Sequence, residues 1–244
     1  MRKYWIFFML IAVLSFALVG CVKPKVEEQP EPIMLKVELP DSLPSTITSV
    51  YMVGNFNNWT FSDDYVYDVV TENGKKMVNV ELNWDNLEYP IQFKFSDQMD
   101  WAGVEKGPNG EELTNRVIFE KPVESKNLRI WNFADTSIDY SSMSTPVTVK
   151  FVVEVPENTP EASGVYIRGD LINSSWDGTP LTLNNGKYEV TLTLNSYELY
   201  QYKYVLDNDW AHVELMPDGT NDIPNRWIVV TDNETIVNKV HAWK

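Results

Sequence analysis

The sequence predicts an all-β protein made of two tandem immunoglobulin-like antiparallel β-sandwiches, and three observations support this. Apolar residues alternate with other residues in several short runs, as from Val147 to Val155, and a period of two is typical of a strand with one buried face. Turn dipeptides such as Asn73-Gly74 and Asn185-Gly186 follow these runs and favour hairpins. The whole pattern then occurs twice, and no segment has a convincing helical period.

The first 20 residues resemble the signal peptide of a bacterial lipoprotein. Arg2 and Lys3 precede an apolar run over 4–19 that is short for a membrane span. The run ends in Leu-Val-Gly, and Cys21 follows. The resemblance implies cleavage before Cys21, lipidation of this cysteine (with palmitate as an acyl group) and an extracytoplasmic location on a bacterial membrane. An ordinary signal peptide with a chance cysteine, or an uncleaved anchor, are the alternatives.

Charge and cysteine content limit the partners of the mature chain. The formal net charge is −15, and loss of residues 1–20 removes two basic and no acidic residues, which gives −17. Such a chain does not favour nucleic acid or anionic lipid surfaces, so membrane contact is expected through the lipid. Cys21 is the only cysteine, so no intrachain disulfide can form. The polar, proline-rich segment 21–35 is expected to be an extended tether.

The rest of the chain is an internal repeat. VYMVGNFNNW in the first copy matches VYIRGDLINSSW in the second, and NGKKMVNVEL matches NGKYEVTL. The segment beginning QFKF matches the one beginning QYKY, in the same order and at nearly the same spacing. These matches predict one sandwich at 36–134 and another at 147–244. The intervening segment 135–146 has the composition of a linker.

Two tryptophans and a lysine recur at matched places in the copies. In the first copy Phe93 and Phe95 are expected to face the core, so the lysine between them points outward. A tryptophan follows seven residues later, after a polar turn, and another lies in the preceding asparagine-rich turn. Polar turns are usually exposed. The matched residues are Trp59, Lys94 and Trp101 in the first copy and Trp176, Lys203 and Trp210 in the second.

Exposed aromatic rings beside hydrogen-bonding side chains suit a sugar, because its C–H face stacks on indole while its hydroxyls bond polar groups. GNFNNW, then QFKF, then DW resemble the starch- and glycogen-binding modules of carbohydrate-binding module families 20 and 48. The resemblance implies non-catalytic binding of α-glucan through the two tryptophans and the lysine of each copy. The Thr-Asn-Arg and Pro-Asn-Arg triplets add Asn115 and Asn225 as sugar ligands. Two departures are the longer loop before these asparagines and two extra residues before Trp176.

The other tryptophans and one charge pattern have structural interpretations. Trp131 and Trp243 lie in apolar terminal strands and are expected to pack in the cores or between domains. Trp84 and Trp227 have no counterpart in the other copy. A Trp-x-x-Val-Glu segment recurs as well. It predicts an ion pair inside each sandwich, Glu105 with Arg116 and Glu214 with Arg226.

We expect no enzymatic activity, because no paired-carboxylate, nucleophile or nucleotide motif stands out. His212 and His241 are the only histidines and are not at equivalent positions, so no metal site and no cofactor are predicted. The expected partner is starch, glycogen or a maltodextrin, held at the envelope for separate glucan-degrading enzymes or a sugar transporter. The alternative is a structural or protein-interaction lipoprotein without a sugar ligand. It predicts that Trp59 and Trp101 are buried or lie in a broad flat patch.

Overall fold

The computed structural model describes residues 31–136, 138–172 and 175–244. The predicted signal peptide, the lipidation site Cys21 and most of the tether lie outside the described residues. Residues 32–244 form one compact unit, so the boundaries expected at 36–134, 135–146 and 147–244 stay predictions. Within the described ranges, no helix is long and apolar enough to cross a membrane.

The first half of this unit contains ten strands, and we call it the first module. Two four-stranded sheets, of order β4-β5-β1-β9 and β3-β2-β6-β8, enclose one core, and β7 pairs with β10. The strands are β1 Met34–Glu38, β2 Ser49–Gly54, β3 Val66–Asp68, β4 Val70–Glu72, β5 Lys75–Glu81, β6 Ile91–Ser96, β7 Glu105–Lys106, β8 Arg116–Ile118, β9 Lys126–Arg129 and β10 Asn132–Phe133.

The second module repeats this topology strand for strand. Its sheets have the orders β14-β15-β11-β19 and β13-β12-β16-β18, and β17 pairs with β20. The strands are β11 Pro146–Glu154, β12 Val165–Gly169, β13 Gly178–Pro180, β14 Thr182–Asn184, β15 Lys187–Asn195, β16 Leu199–Leu206, β17 Glu214–Leu215, β18 Arg226–Val229, β19 Glu234–Lys239 and β20 Ala242–Trp243. Short 3-10 helices lie at Asn55–Asn57, Asp63–Tyr65, Trp84–Asn86, Trp101–Gly103, Ser141–Met143 and Trp210–His212.

The all-β prediction is confirmed, with one departure from a purely antiparallel arrangement. Strand β9 pairs parallel to β1, and β19 pairs parallel to β11. The sequence pattern shows which face of a strand is buried but carries no information about strand direction. The predicted Asn-Gly turns are present between β4 and β5 and between β14 and β15. In both turns the asparagine and the glycine have positive φ, as a type I′ hairpin requires.

Each module has its own apolar core, built from the alternating residues of both sheets. In β6 the inward residues Phe93 and Phe95 are almost fully buried. Their counterparts in β16 are Tyr202 and Tyr204, which are also buried, and both hydroxyls donate to Oδ1 of Asn238 at 2.9 Å. Burial raises the pKa of both tyrosines. The shared acceptor satisfies the two hydroxyls that would otherwise lack a partner in the core.

The segment between the modules is packed against them. Tyr140 is 7% exposed and stacks on Tyr197 of the second module, with ring centres 5.6 Å apart and planes at 2°. Trp131 of the first module meets both rings edge-on at 5.8 and 5.9 Å. Asn109 accepts a hydrogen bond from the Tyr140 backbone and donates to the Tyr197 carbonyl oxygen. We call these four residues the aromatic junction, and they confirm that Trp131 packs between domains.

Candidate functional site

The first tryptophan pair lies at one end of the sheet that contains β2 and β6. The ring centres of Trp59 and Trp101 are 6.2 Å apart, with planes tilted by 33°. Trp101 is 45% exposed and Trp59 is half-buried. Phe61 meets the Trp101 ring edge-on at 5.2 Å and in turn contacts Tyr51. The pair is therefore a solvent-accessible aromatic surface supported from behind, and neither ring is enclosed in the core.

The asparagine-rich turn holds Trp59 in an uncommon backbone conformation. The backbone N–H of Trp59 donates to the Gly54 carbonyl oxygen at 2.8 Å, and Oδ1 of Asn57 accepts from the Gly54 N–H at 2.9 Å. Asn58 and Trp59 have φ of 55° and 56°, which is rare for a bulky residue and costs on the order of 1–3 kcal/mol. A Cβ on Gly54 would lie 2.3 Å from the Gln92 carbonyl oxygen, so only glycine fits there. The strained backbone of this turn lowers local stability and places the Trp59 indole at the surface.

Trp101 begins a short 3-10 helix with its own cap. The Asp100 carboxylate accepts from the Ala102 backbone N–H at 2.9 Å, and Oγ of Ser96 donates to the Asp100 carbonyl oxygen at 2.7 Å. The cap satisfies an N–H at the start of the helix that has no partner within it. Asp209 does the same for Ala211 in the second module. The repeated Asp-Trp dipeptide thus fixes the backbone that carries each exposed tryptophan.

The second pair repeats the geometry of the first. The ring centres of Trp176 and Trp210 are 5.9 Å apart and their planes are tilted by 38°. Trp210 is 39% exposed, and Trp176 has a positive φ of 57°, as Trp59 does. The two extra residues before Trp176 therefore do not displace it from Trp210. Residues 173 and 174 of this longer turn lie outside the described part of the chain.

Arg168 supports the second pair, and the sequence analysis missed it. Its Nε donates to the Trp176 carbonyl oxygen at 2.9 Å and its Nη1 to the Asn208 carbonyl oxygen at 3.0 Å. Its guanidinium carbon lies 4.7 Å from the centre of the Trp210 ring, which is cation–π distance. The matched position of the first copy is Val53, in VYMVG against VYIRG. The signal for Arg168 in the sequence was that an arginine replaces a valine immediately before the repeated glycine.

The predicted lysines lie on the sheet faces opposite the cores, and one of them is held by the protein itself. Lys94 Nζ donates to the Leu113 carbonyl oxygen, and burial lowers the pKa of this ammonium, with Glu105 and Glu112 partly opposing the shift. Lys203 is half-buried and lies directly opposite Arg168 across β16 and β12. Lys94 is therefore held beside the loop that precedes Asn115.

The predicted asparagines occupy equivalent places despite the long loops before them. Nδ2 of Asn115 donates to Oε1 of Gln92 at 3.2 Å, and Nδ2 of Asn225 donates to Oε1 of Gln201 at 3.1 Å. Gln92 and Gln201 were not among the predicted site residues. Their place at the start of the repeated Gln-aromatic-Lys-aromatic motif was the signal for them.

Both predicted buried ion pairs are confirmed, and their role is structural. Nη2 of Arg116 lies 2.8 Å from Oε2 of Glu105, and Nη2 of Arg226 lies 2.7 Å from Oε2 of Glu214. Each glutamate is at most 1% exposed and also accepts a backbone N–H of the central strand. Burial disfavours the charge of Arg226, but Glu214 outweighs it and the pKa of Arg226 is raised. Nη2 of each arginine also donates to a backbone carbonyl oxygen, that of Arg129 or Lys239, which fits a structural role.

A buried carboxyl group lies beneath the turn that carries Trp101. Asp97 is 5% exposed, and no N–H or hydroxyl group of the described residues donates to its oxygens. Burial, and then hydrogen bonding to and repulsion from Asp135, raise its pKa to about 7. The matched residue of the second copy is Leu206, which is buried to the same extent. The buried carboxyl group is therefore present in the first turn and not at the matched position of the second.

Among the described residues, no group of three or more histidine, cysteine, aspartate or glutamate side chains is arranged to hold a metal ion. His241 packs against Phe119 with ring centres 4.8 Å apart, and burial lowers its pKa.

Trp84 and Trp243 have packing roles. Nε1 of Trp84 donates to the Ile33 carbonyl oxygen at 2.7 Å, and Nε1 of Trp243 donates to Oγ1 of Thr159 at 2.9 Å.

Comparison with known proteins finds partial relatives among amylases. No family model matches the chain. Amylopullulanases of Thermoanaerobacterium thermosulfurigenes and Thermoanaerobacter thermohydrosulfuricus are each 32% identical to it, over 139 and 125 residues. These stretches cover 54% and 45% of this chain but 7% and 8% of the relatives. The chain thus spans less than a tenth of the length of the curated relatives it matches.

Two solved structures are weakly similar to this chain in sequence and in structure. A CBM26 module of Eubacterium rectale Amy13K in complex with maltoheptaose is 10% identical, covers 86% of this chain and 93% of that chain, and has a TM-score of 0.27. A streptococcal virulence factor described as binding α-glucan is 11% identical, covers 86% of this chain and 94% of that chain, and also has a TM-score of 0.27. Similarity at this level is too low to support an inference about this chain's ligand.

Proposed function

We propose that this chain is a non-catalytic α-glucan-binding lipoprotein of the cell envelope. One observation carries the proposal: two tryptophan pairs recur with nearly the same spacing and tilt, 6.2 Å and 33° against 5.9 Å and 38°. Each pair presents a partly exposed ring, Trp101 in the first module and Trp210 in the second. A tilted pair of accessible indoles suits consecutive sugar rings of a curved α-glucan chain, because each ring offers an apolar C–H face.

The local backbone supports a binding role over a packing role. Trp59 and Trp176 both have strained left-handed conformations, and such strain is found more often at functional sites than in simple packing. The scaffold alternative expects buried rings or a broad flat patch. Trp101 and Trp210 are instead 45% and 39% exposed, and the rings of the two pairs are tilted by 33° and 38°. Similarity to part of two amylopullulanases, enzymes named for α-glucan substrates, agrees with this proposal.

Recognition in each module would combine stacking with hydroxyl contacts. In the first module Trp59 and Trp101 stack the sugars while Lys94 and Asn115 bond hydroxyls. In the second module Trp176, Trp210, Lys203 and Asn225 have the same roles. Lipidation at Cys21 would hold the protein at a membrane, where it retains glucan for separate enzymes or a transporter.

The first experiment is a titration of residues 22–244, which include the whole compact unit, with maltoheptaose. Tryptophan fluorescence and calorimetry are the readouts, with Trp101→Ala and Trp210→Ala singly and combined. We expect a saturable response that weakens in each single variant and disappears in the double variant. No response from folded protein to maltoheptaose or soluble glycogen would refute glucan binding. Mass spectrometry of the protein from the membrane fraction of cells expressing the full chain should show acylated Cys21 at the N-terminus, and an unmodified Cys21 would refute lipid anchoring.

A further inference from the structure

The asparagines assigned to two separate sites meet in one crevice. A cavity of about 220 Å³ lies at the boundary of the modules, and Asn115 and Asn225 both line it together with Trp227. Oγ1 of Thr114 donates to the Asn225 carbonyl oxygen at 2.9 Å, across the boundary. The guanidinium carbon of Arg116 lies 4.8 Å from the Trp227 ring centre. Strands β8 and β18 carry Arg116 and Trp227, and the asparagines lie immediately before these strands. The two strands are therefore close to each other at the module boundary.

The crevice has the chemistry of a hydroxyl-binding site. Each asparagine uses one N–H to reach the neighbouring glutamine oxygen, as Asn115 does with Gln92 and Asn225 with Gln201. An amide has two N–H donors and one oxygen that can accept two bonds. Each asparagine that lines the crevice therefore still has its side-chain oxygen as an acceptor and its second N–H as a donor. Adjacent hydroxyls of a sugar, which donate and accept at once, match this arrangement.

One sheet face connects the crevice to the tryptophan pair in each module. Gln92 and Lys94 alternate with the buried Phe93 on β6, so both lie on the face opposite the core. The strand then leads into the turn that carries Trp101. From Gln92 to the end of β6 at Ser96 the strand advances roughly 13 Å. In the second module Arg168, which supports the Trp210 ring, lies opposite Lys203 on the same face as Gln201.

The aromatic junction fixes the modules to each other. A flexible linker would let the two sites move independently, but Tyr140 is buried against Tyr197 and Trp131. Two sites in one rigid arrangement bind a long ligand without the entropic cost of bringing them together. The faces that converge on the crevice thus have a fixed spacing.

We propose that the two modules form one composite site, in which a single α-glucan chain extends from Trp59 and Trp101 through the crevice to Trp176 and Trp210. This inference rests on the proposed function and specifies its ligand as a chain long enough to cross the module boundary. Short oligosaccharides occupy one tryptophan pair, whereas a long chain engages both pairs and the amides between them. The gain from joining two sites is about 10²–10⁴ in affinity.

The test compares maltotriose with a long maltodextrin on residues 22–244, by calorimetry that gives both affinity and stoichiometry. We expect one maltodextrin chain per protein, bound at least about 10²-fold more tightly than maltotriose. Tyr197→Ala loosens the junction without touching a sugar-binding residue, and it should remove most of that gain while maltotriose affinity stays unchanged. Tyr197→Phe keeps the stacked ring and is the matched control, with wild-type behaviour expected.

A second variant keeps the test decisive if Tyr197→Ala unfolds. Thr114→Val removes the hydrogen bond across the boundary and should cause a smaller loss of the same kind. Two maltodextrin chains bound per protein, each no tighter than maltotriose, would overturn the composite site and leave the proposed function intact. Binding of neither ligand by folded protein would overturn both.

Discussion

Replacement of Trp101 by alanine tests the central structural argument, and its magnitude follows from exposure. Trp101 is 45% exposed, and a tryptophan side chain offers about 150–250 Å², so roughly 70–110 Å² is accessible. A sugar that covers one face removes about half of this from water. At about 25 cal/mol per Å² the lost contact is about 0.9–1.4 kcal/mol. Affinity for maltotriose at the first pair should therefore fall about 5–10-fold.

The assay is calorimetric titration with maltotriose in a Trp210→Ala background. This substitution removes binding at the second pair, so the titration measures binding at the first pair alone. Met143→Ala is the matched control, because Met143 is 52% exposed and lies in the segment between the modules, and it should leave affinity unchanged. The unfolding midpoint should barely move in Met143→Ala. It should fall slightly in Trp101→Ala, because the contacts of this ring with Trp59 and Phe61 are lost. Wild-type affinity in folded Trp101→Ala would refute the assignment of this indole as a sugar platform.

Three further predictions concern support and stability. Arg168→Val, which installs the first-copy residue, should weaken maltotriose binding at the second pair several-fold in a Trp101→Ala background while the protein stays folded; unchanged affinity would mean that the arginine does not position the pair. Arg116→Met should lower the free energy of unfolding by about 3–5 kcal/mol, because it leaves the Glu105 carboxylate buried and unpaired, and denaturant titration measures this; a loss below about 1 kcal/mol would show that Glu105 finds other compensation. Because the pKa of Asp97 is raised to about 7, the folded state holds this proton more tightly than the unfolded state. The contribution of this group to stability should therefore be fully present below about pH 4 and should fall by roughly 2 kcal/mol between about pH 5 and pH 7. Asp97→Leu should abolish that part of the pH dependence, and an identical slope in the variant would contradict the pKa assignment.

The sequence was informative where residues repeat. Each short motif occurs in both copies at nearly the same spacing. This repetition made it possible to predict the pairs Trp59 with Trp101 and Glu105 with Arg116. The alternation of apolar residues gave the strands, because the side-chain period of a strand is fixed by its geometry. Strand direction was not predictable, because a strand that pairs parallel, as β9 does with β1, shows the same alternation of apolar residues as an antiparallel one.

The sequence was least informative where the copies differ or where the modules meet. Arg168 replaces a valine and acts through carbonyl groups and a ring that only the folded turn brings near it. The junction of Tyr140 with Tyr197 joins an apparent linker to a turn in the other module, and composition alone suggested a loose connection. Asp97 looked like one more acidic residue in an acidic chain, because burial is a property of the fold.

The first strand of the compact unit has a mechanical consequence. Strand β1 is not at an edge: it is hydrogen-bonded to β5 on one side and to β9 on the other, with Leu35 and Val37 fully buried. If Cys21 is tethered to a membrane as proposed, tension from a captured polymer enters the protein along this strand. Both rows of hydrogen bonds then bear the force together in shear and cannot be peeled one at a time. The strand next to the anchor is thus the part of the first module best placed to hold against pulling.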